Sequence, residues 1–329
     1  MAELSGRTAV TRAVDEEMAR DPNVILLGED VRIWGAPRTE FRGLFDKYGP
    51  KRVLDTPISE AAILGAAIGA AATGMRPIAN IMYANFLGMC GDELINQLTQ
   101  MRYMFGGKIK LPVTITSYFG AGLSAGAQHS RTLTGLLMSI PGLKIVVPSS
   151  PLEMLGLLKS AIRDDNPKIC LFHGLLLSRP KKGELTEPEP EGEYTIPLGK
   201  ANVKREGKDV TVVAAAAMVR RALAAADKLK DKGISVEVID LRTLVPLDKK
   251  TIIDSVKKTG RLVIMDEDVR TGSAAGQIAA IVVEEAFDFL DAPIKRVCAP
   301  DTPVPFSPVL ERFWMPDEEK LIKAINEIL

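Results

Sequence analysis

The chain has 329 residues, 46% of them apolar and 26% charged, with Lys+Arg and Asp+Glu both counting 42 and a formal net charge of zero. That length exceeds what one hydrophobic core ordinarily serves, so two compact domains are expected. The balanced charge supplies no broad basic surface, which argues against nucleic acid or an anionic membrane as a partner.

Residues 1–7 mix polar and apolar side chains and lack the apolar core of a secretory signal, and no apolar stretch is long enough to span a bilayer. Cys90, Cys170 and Cys298 are widely spaced and odd in number, a pattern that suits reduced core thiols in a cytoplasm or organelle matrix. In chain order, residues 24–27 predict a buried strand. Gly28-Glu29-Asp30-Val31 then places two acids at a strand's carboxyl end, where ligands collect in open α/β sheets, although a solvated turn is the plainer account of that motif by itself. Residues 55–60 form a loop feeding a helix that starts near Glu60. The helix dipole favours a carboxylate there and Ser59 could cap, so helix-start chemistry is also sufficient. The following residues 65–74 are almost all Gly and Ala, a composition that permits close backbone approach between packed elements or subunits.

Residues 112–116 predict a second strand, followed by Gly120-Ala121-Gly122-Leu123-Ser124-Ala125-Gly126. The third glycine falls one residue late for a dinucleotide-binding G-x-G-x-x-G, so the segment reads as a mobile or closely packed loop that delivers Gln128-His129-Ser130. Residues 144–147 predict a third strand, so the sheet is expected to be mainly parallel with helices on both faces. Residues 161–167 read as a helix end and a turn, whose unpaired carbonyls could face water or hold a monovalent cation. His173, the second of two histidines, has no acidic or thiol company, and two isolated histidines do not make a zinc site.

Residues 179–199 carry four prolines among five glutamates and are expected to run over the surface as an irregular linker. The pattern then restarts with strands at 209–213, 236–239, 261–265 and 295–298, and helices at 219–232 and 276–287. The expected organisation is α/β in two domains, residues 1–179 and 200–329, joined by a linker over 180–199.

Several stretches, in order, resemble the beta subunits of the decarboxylating component of pyruvate, branched-chain 2-oxoacid and acetoin dehydrogenase complexes. They are Gly28-Glu29-Asp30-Val31, residues 55–60, Arg102-Tyr103-Met104-Phe105-Gly106-Gly107, Ala127-Gln128-His129-Ser130, Ile140-Pro141-Gly142-Leu143-Lys144, residues 161–167, residues 238–244 and Pro303-Val304-Pro305-Phe306. The resemblance implies a pyrimidine-binding domain followed by a transketolase C-terminal-type domain, and thiamine diphosphate as cofactor. It makes Glu60 the glutamate that hydrogen-bonds N1′ of the aminopyrimidine and Phe86 the aromatic against that ring, with Tyr83 nearby as a substitute. It makes Glu29 the acid behind the cofactor, Ile58 a pocket-lining residue and His129 the histidine at the substrate mouth. Val113, Ala161, Asp164 and Asn166 match positions that ligate potassium in some members.

The implied chemistry accounts for these residue types. A carboxylate at N1′ favours the imino form of the cofactor that removes its own C2 proton, a carbon–carbon bond beside a carbonyl is then cleaved, and the acyl fragment passes to a lipoyl group. The chain lacks the Gly-Asp-Gly and Asn-Asn elements that hold magnesium and diphosphate, since Gly91-Asp92 continues with Glu93. The resemblance therefore implies an alpha subunit in an α2β2 heterotetramer that holds the Mg2+, beside a lipoyl acyltransferase core. Asn80 stands where many relatives carry an acid, Phe172 and Gly174 replace a Glu and a Lys, and Ala215-Ala216 replace Tyr-Gly. Residues 105–108, 118–122 and 299–311 look closest to acetoin-cleaving members, with pyruvate next. Two other readings are a non-catalytic scaffold subunit, opposed by the carboxylate at 60, the aromatic at 86 and the histidine at 129, and a nicotinamide-binding oxidoreductase, opposed by the glycine spacing.

Overall fold

The computed structural model describes residues 3–177 and 185–329, so the junction expected at residues 179–180 lies outside the described residues. The chain forms two compact units, Met1–Phe119 with Ile140–Leu198, and Gly120–Ser139 with Gly199–Leu329.

The first unit contains strands β1 (Glu3–Ser5), β2 (Val24–Glu29), β3 (Val53–Thr56), β4 (Arg76–Tyr83), β5 (Thr114–Phe119), β6 (Lys144–Val146), β7 (Lys168–His173) and β8 (Thr186–Pro188). Six of these lie in the order β6-β7-β5-β4-β2-β3, and every junction among them is parallel. Leu26, Ile78, Ile115 and Ile169 are fully buried, as central strands covered on both faces require. The helix Gly6–Arg20 begins at a reciprocal cap, in which the Ser5 hydroxyl accepts from the Thr8 amide and the Thr8 hydroxyl accepts from the Ser5 amide. It packs against the helix Pro151–Arg163. Between them the fully buried Lys159 ammonium lies 2.5 Å from Glu16, and Arg163 lies 2.5 Å from the equally buried Glu17.

Residues 185–198, expected as part of a solvated linker, are instead strapped to this unit. β8 pairs antiparallel with β1, Glu187 accepts from the Leu152 amide at 2.7 Å, and Glu193 reaches both Lys159 and Arg163. Of the glutamates expected to keep the segment in water, Glu187 and Glu193 have amide and cationic partners in this unit.

The second unit is built on β9 (Asn202–Arg205), β10 (Val210–Ala214), β11 (Val236–Asp240), β13 (Leu262–Val269) and β14 (Lys295–Ala299), with a short β12 (Thr243–Val245) between β11 and β13 in sequence. Its five-stranded sheet runs β14-β13-β10-β11-β9, parallel except for β9 at one edge. The helices Ala217–Lys230, Lys249–Thr259, Ala274–Ala286 and Glu318–Asn326 bury apolar stripes against it. Residues 120–139, expected with the first domain, belong to this unit, for reasons given below. Among the described residues no helix is long and apolar enough to cross a membrane.

Candidate active site

In the first unit the parallel register brings Glu29 beside Thr56 and sets Gly28 between Asp55 and Asn80. A Cβ on Gly28 would lie 2.9 Å from Asn80, so the glycine is what lets these strand ends close up. The chain then turns through Ile58 into the helix Glu60–Ala72. Ser59 precedes that helix without a side-chain cap, contrary to the capping expected of it, so the first-turn amides lack that acceptor.

Glu29 and Glu60 are both half-buried. Burial pushes the Glu29 carboxyl above its usual range, and the charges of Asp30, Glu60 and Asp55 add to the rise. The Cys90 thiol is pushed up to about 12, first by burial and then by Glu93 and Glu60. The Glu60 charge is thus felt at the end of β2 and at Cys90. Among the described residues no group donates a hydrogen bond to the Glu60 carboxylate.

Aromatic side chains complete this end of the sheet. The Tyr83 ring packs edge-on against Phe86 at 5.6 Å and against Tyr118 at 6.2 Å. Thr56 Oγ1, Tyr118 OH and Asn80 Oδ1 are buried without a partner, although the Asn80 amide donates to Thr116 Oγ1 at 3.0 Å. Buried polar atoms are ordinarily paired. Orphaned hydroxyls, a carboxylate lacking a donor and aromatic edges together fit a planar, amine-bearing ring. Glu29, Glu60 and Phe86 therefore fall in one unit at one sheet end. Ile58 precedes them 75% exposed, an apolar side chain that this chain alone leaves in water. Thr56 and Tyr118 escaped the sequence reading, and their signal was position, since each ends or nearly ends a parallel strand as Glu29 does.

His129 belongs to the second unit, on the short helix Ala127–Ser130. The glycine-rich segment before it is held by carboxylates and is closely packed. The 2%-exposed Glu311 accepts from the amides of Gly122 at 2.8 Å and Ser124 at 2.9 Å, and Glu267 accepts from the Ala121 amide at 2.6 Å. Gly120 and Gly122 have φ of 96° and 105°, which only glycine adopts without strain. Beyond His129, Asp268 accepts from Thr134 Oγ1 at 3.1 Å, and burial followed by the Asp266 charge pushes Asp268 up to about 6. These bonds are why residues 120–139 fold with the second unit. Glu311→Gln turns one acceptor oxygen into a donor facing an N–H, and should cost about 1.5–3 kcal/mol. Hydrogen exchange at Gly122 and Ser124 is the measurement, and unchanged protection there would show that the staple does not hold the loop.

His173 is a core residue. It is 1% exposed, its Nδ1 accepts from the Leu175 amide at 3.2 Å, and its ring meets Phe119 edge-on at 5.1 Å.

The positions matched to potassium ligands lie together in the first unit, but their carbonyls already have protein donors. The Val113 carbonyl accepts from the Lys168 amide at 3.1 Å, and that of Ala161 accepts from the Asp164 amide at 3.1 Å. The carbonyls of Asp164 and Asn166 accept from the Lys168 ammonium at 2.6 and 2.9 Å. Burial pushes that ammonium down to about 7, and the Asp164 charge works against the fall. The residues present do not fit a potassium ion.

Comparison with known proteins places these units in a family. Residues 2–179 match the transketolase pyrimidine-binding domain, and residues 199–321 match the transketolase C-terminal domain. The chain is 48% identical over 338 residues to the beta subunit of acetoin:2,6-dichlorophenolindophenol oxidoreductase of Bacillus subtilis, covering 99% of this chain and 97% of that one. It is 43% identical to the mitochondrial pyruvate dehydrogenase E1 beta subunit of Dictyostelium discoideum, over 99% of this chain and 91% of the relative. A solved structure described as a split-gene transketolase, an inactive beta4 tetramer, superposes with a TM-score of 0.81 at 24% identity, covering 100% and 99% of the two chains, a likeness of fold. With both domain models matched in order and relatives this similar end to end, the chain belongs to the family of acetoin and 2-oxoacid dehydrogenase beta subunits.

Proposed function

We propose that this chain is the beta half of a thiamine-diphosphate-dependent dehydrogenase that cleaves the carbon–carbon bond beside a carbonyl, with acetoin as substrate, and passes the acyl fragment to a lipoyl group. The observation that carries the reading is the Glu60 carboxylate, half-buried at a helix start without a donor among the described residues, beside Glu29 whose carboxyl its charge helps to raise. When bound, the cofactor supplies a carbon nucleophile and an electron sink.

This chain's residues do the rest. Glu60 receives the N1′ edge of the aminopyrimidine and holds a proton there, and Phe86, braced by Tyr83, covers the ring. Glu29 sets a second carboxyl behind that carboxylate, its own pushed above the usual range by burial and by the charges of Asp30, Glu60 and Asp55. Ile58 shields the pocket from water. His129, on its stapled loop, donates to the substrate oxygen as it gains charge.

The diphosphate and its Mg2+ are assigned to an alpha subunit, in an α2β2 assembly that delivers acyl groups to a lipoyl acyltransferase core. One face of the helix Glu60–Ala72 buries Ile63, Leu64, Ala67 and Ile68, while Ala62, Gly65, Ala66 and Gly69 stay exposed. That small-residue face suits close approach by another subunit. The three cysteines are free thiols, in keeping with a reducing cytoplasm or organelle matrix.

The chain alone should bind thiamine diphosphate poorly whether or not magnesium is added. Titration followed by circular dichroism of the bound aminopyrimidine, with and without the alpha subunit, tests this, and tight magnesium-dependent binding by the chain alone would defeat the shared-site reading. Turnover of the pair on acetoin, pyruvate and branched-chain 2-oxoacids decides the substrate, and a preference for pyruvate would replace acetoin in the proposal.

A further inference from the structure

The turn that closes the helix Pro151–Arg163 presents carbonyls at a helix C-terminus, where intrahelical donors run out and the backbone dipoles leave partial negative charge. Cationic side chains answer that charge. Arg76 donates to the carbonyls of Ile162 and Asp164 at 3.1 and 3.2 Å and pairs with Asp165, which also holds Lys110 at 2.7 Å. Lys144 donates to Asp164 Oδ2 at 2.5 Å, and Arg102 donates to Asn166 Oδ1. The fifth cation is Lys168, the first residue of β7, which has no exposure at all. A lysine is almost never fully buried unless it is paired. Here its ammonium bridges the carbonyl oxygens of Asp164 and Asn166.

A potassium ion and an ammonium group are monovalent cations of similar size, and both are satisfied by carbonyl oxygens. An ion placed on the Asp164 and Asn166 carbonyls would need the ground that Lys168 Nζ already covers, and the two positive charges would repel. We propose that Lys168 is the resident cation of this turn, so that the chain holds residues 161–168 together without a potassium ion. The covalent cation is supplied by the fold and does not depend on the ionic composition of the medium.

Thermal unfolding of the purified chain at pH 6, below the value of about 7 to which burial pushes the Lys168 ammonium, in potassium, sodium and choline chloride at equal ionic strength tests this. For the unmodified chain the midpoint should be the same in all three salts, and a rise specific to potassium would overturn the proposal. Lys168→Met removes the ammonium while keeping an unbranched buried side chain. That variant should unfold at lower temperature in choline and recover by roughly 2–4 °C in potassium. A folded variant indifferent to potassium would show that Lys168 does not stand in a cation position, and this too would overturn the proposal. If the variant does not fold, the salt series on the unmodified chain still decides the matter.

Discussion

Glu60→Gln, assembled with the alpha subunit, is expected to bind the cofactor near the unmutated level while C2 hydrogen–deuterium exchange and turnover fall about 10²–10⁴-fold, or roughly 3–5 kcal/mol of barrier. The amide matches the carboxylate in size and can still hydrogen-bond a ring nitrogen, but it cannot hold a proton and release it. Burial is similar for the two side chains, and among the described residues no donor is orphaned by the change because none reaches Glu60. Binding and activation should therefore separate. Exchange at the unmutated rate would reduce Glu60 to a carboxylate placed to suit a helix start.

The second large effect is on stability. Glu40 is wholly buried, with Oε2 accepting from the Arg38 amide at 3.2 Å and Oε1 unpartnered. Burial pushes its carboxyl from 4.5 to about 8, against the opposing pull of backbone donors and of Arg38 and Arg7. A raised carboxyl means that the folded chain holds a proton which the unfolded chain gives up near 4.5. Stability is then greatest below that value, falls as pH rises towards 8, and levels off above it. Glu40→Gln, which mimics the protonated form, should remove that fall. Above pH 8 it should stabilise by at most about 5 kcal/mol, the equivalent of the shift. Unfolding midpoints across pH 4–9 for both chains are the check, and parallel curves would sink the assignment.

The two-unit α/β plan was legible because the short β-rich runs at 24–27, 236–239 and 261–265 alternate with longer helical segments and declare themselves without help from distant residues. β4 and β7 were not read, for a physical reason. Pro77 and Asn80 interrupt the apolar pattern of one, and Lys168 and His173 bound the other, and each is tolerated only because the folded chain supplies its partners or its space. The site shows the same split. Glu29 and Glu60 stand on motifs short enough to see, and Phe86 was placed only by the resemblance. By contrast, the part played by Glu311 depends on a loop 189 residues earlier in the chain, and no local pattern announces it. The sequence left the carbonyls of the turn at 161–167 either to face water or to hold a monovalent cation, and that the Lys168 ammonium, one residue beyond the turn, reaches two of them needed coordinates.

The Glu311 staple also sets an order of events at the ribosome. Chains are made from the N-terminus, and compact units form as their residues emerge. The loop carrying His129 is made early, within the span of the first unit, yet the carboxylate that fastens Gly122 and Ser124 lies near the other end of the chain. The nascent chain therefore carries an unfastened, glycine-rich loop through the synthesis of 189 further residues, and the loop can close only once Glu311 has been made.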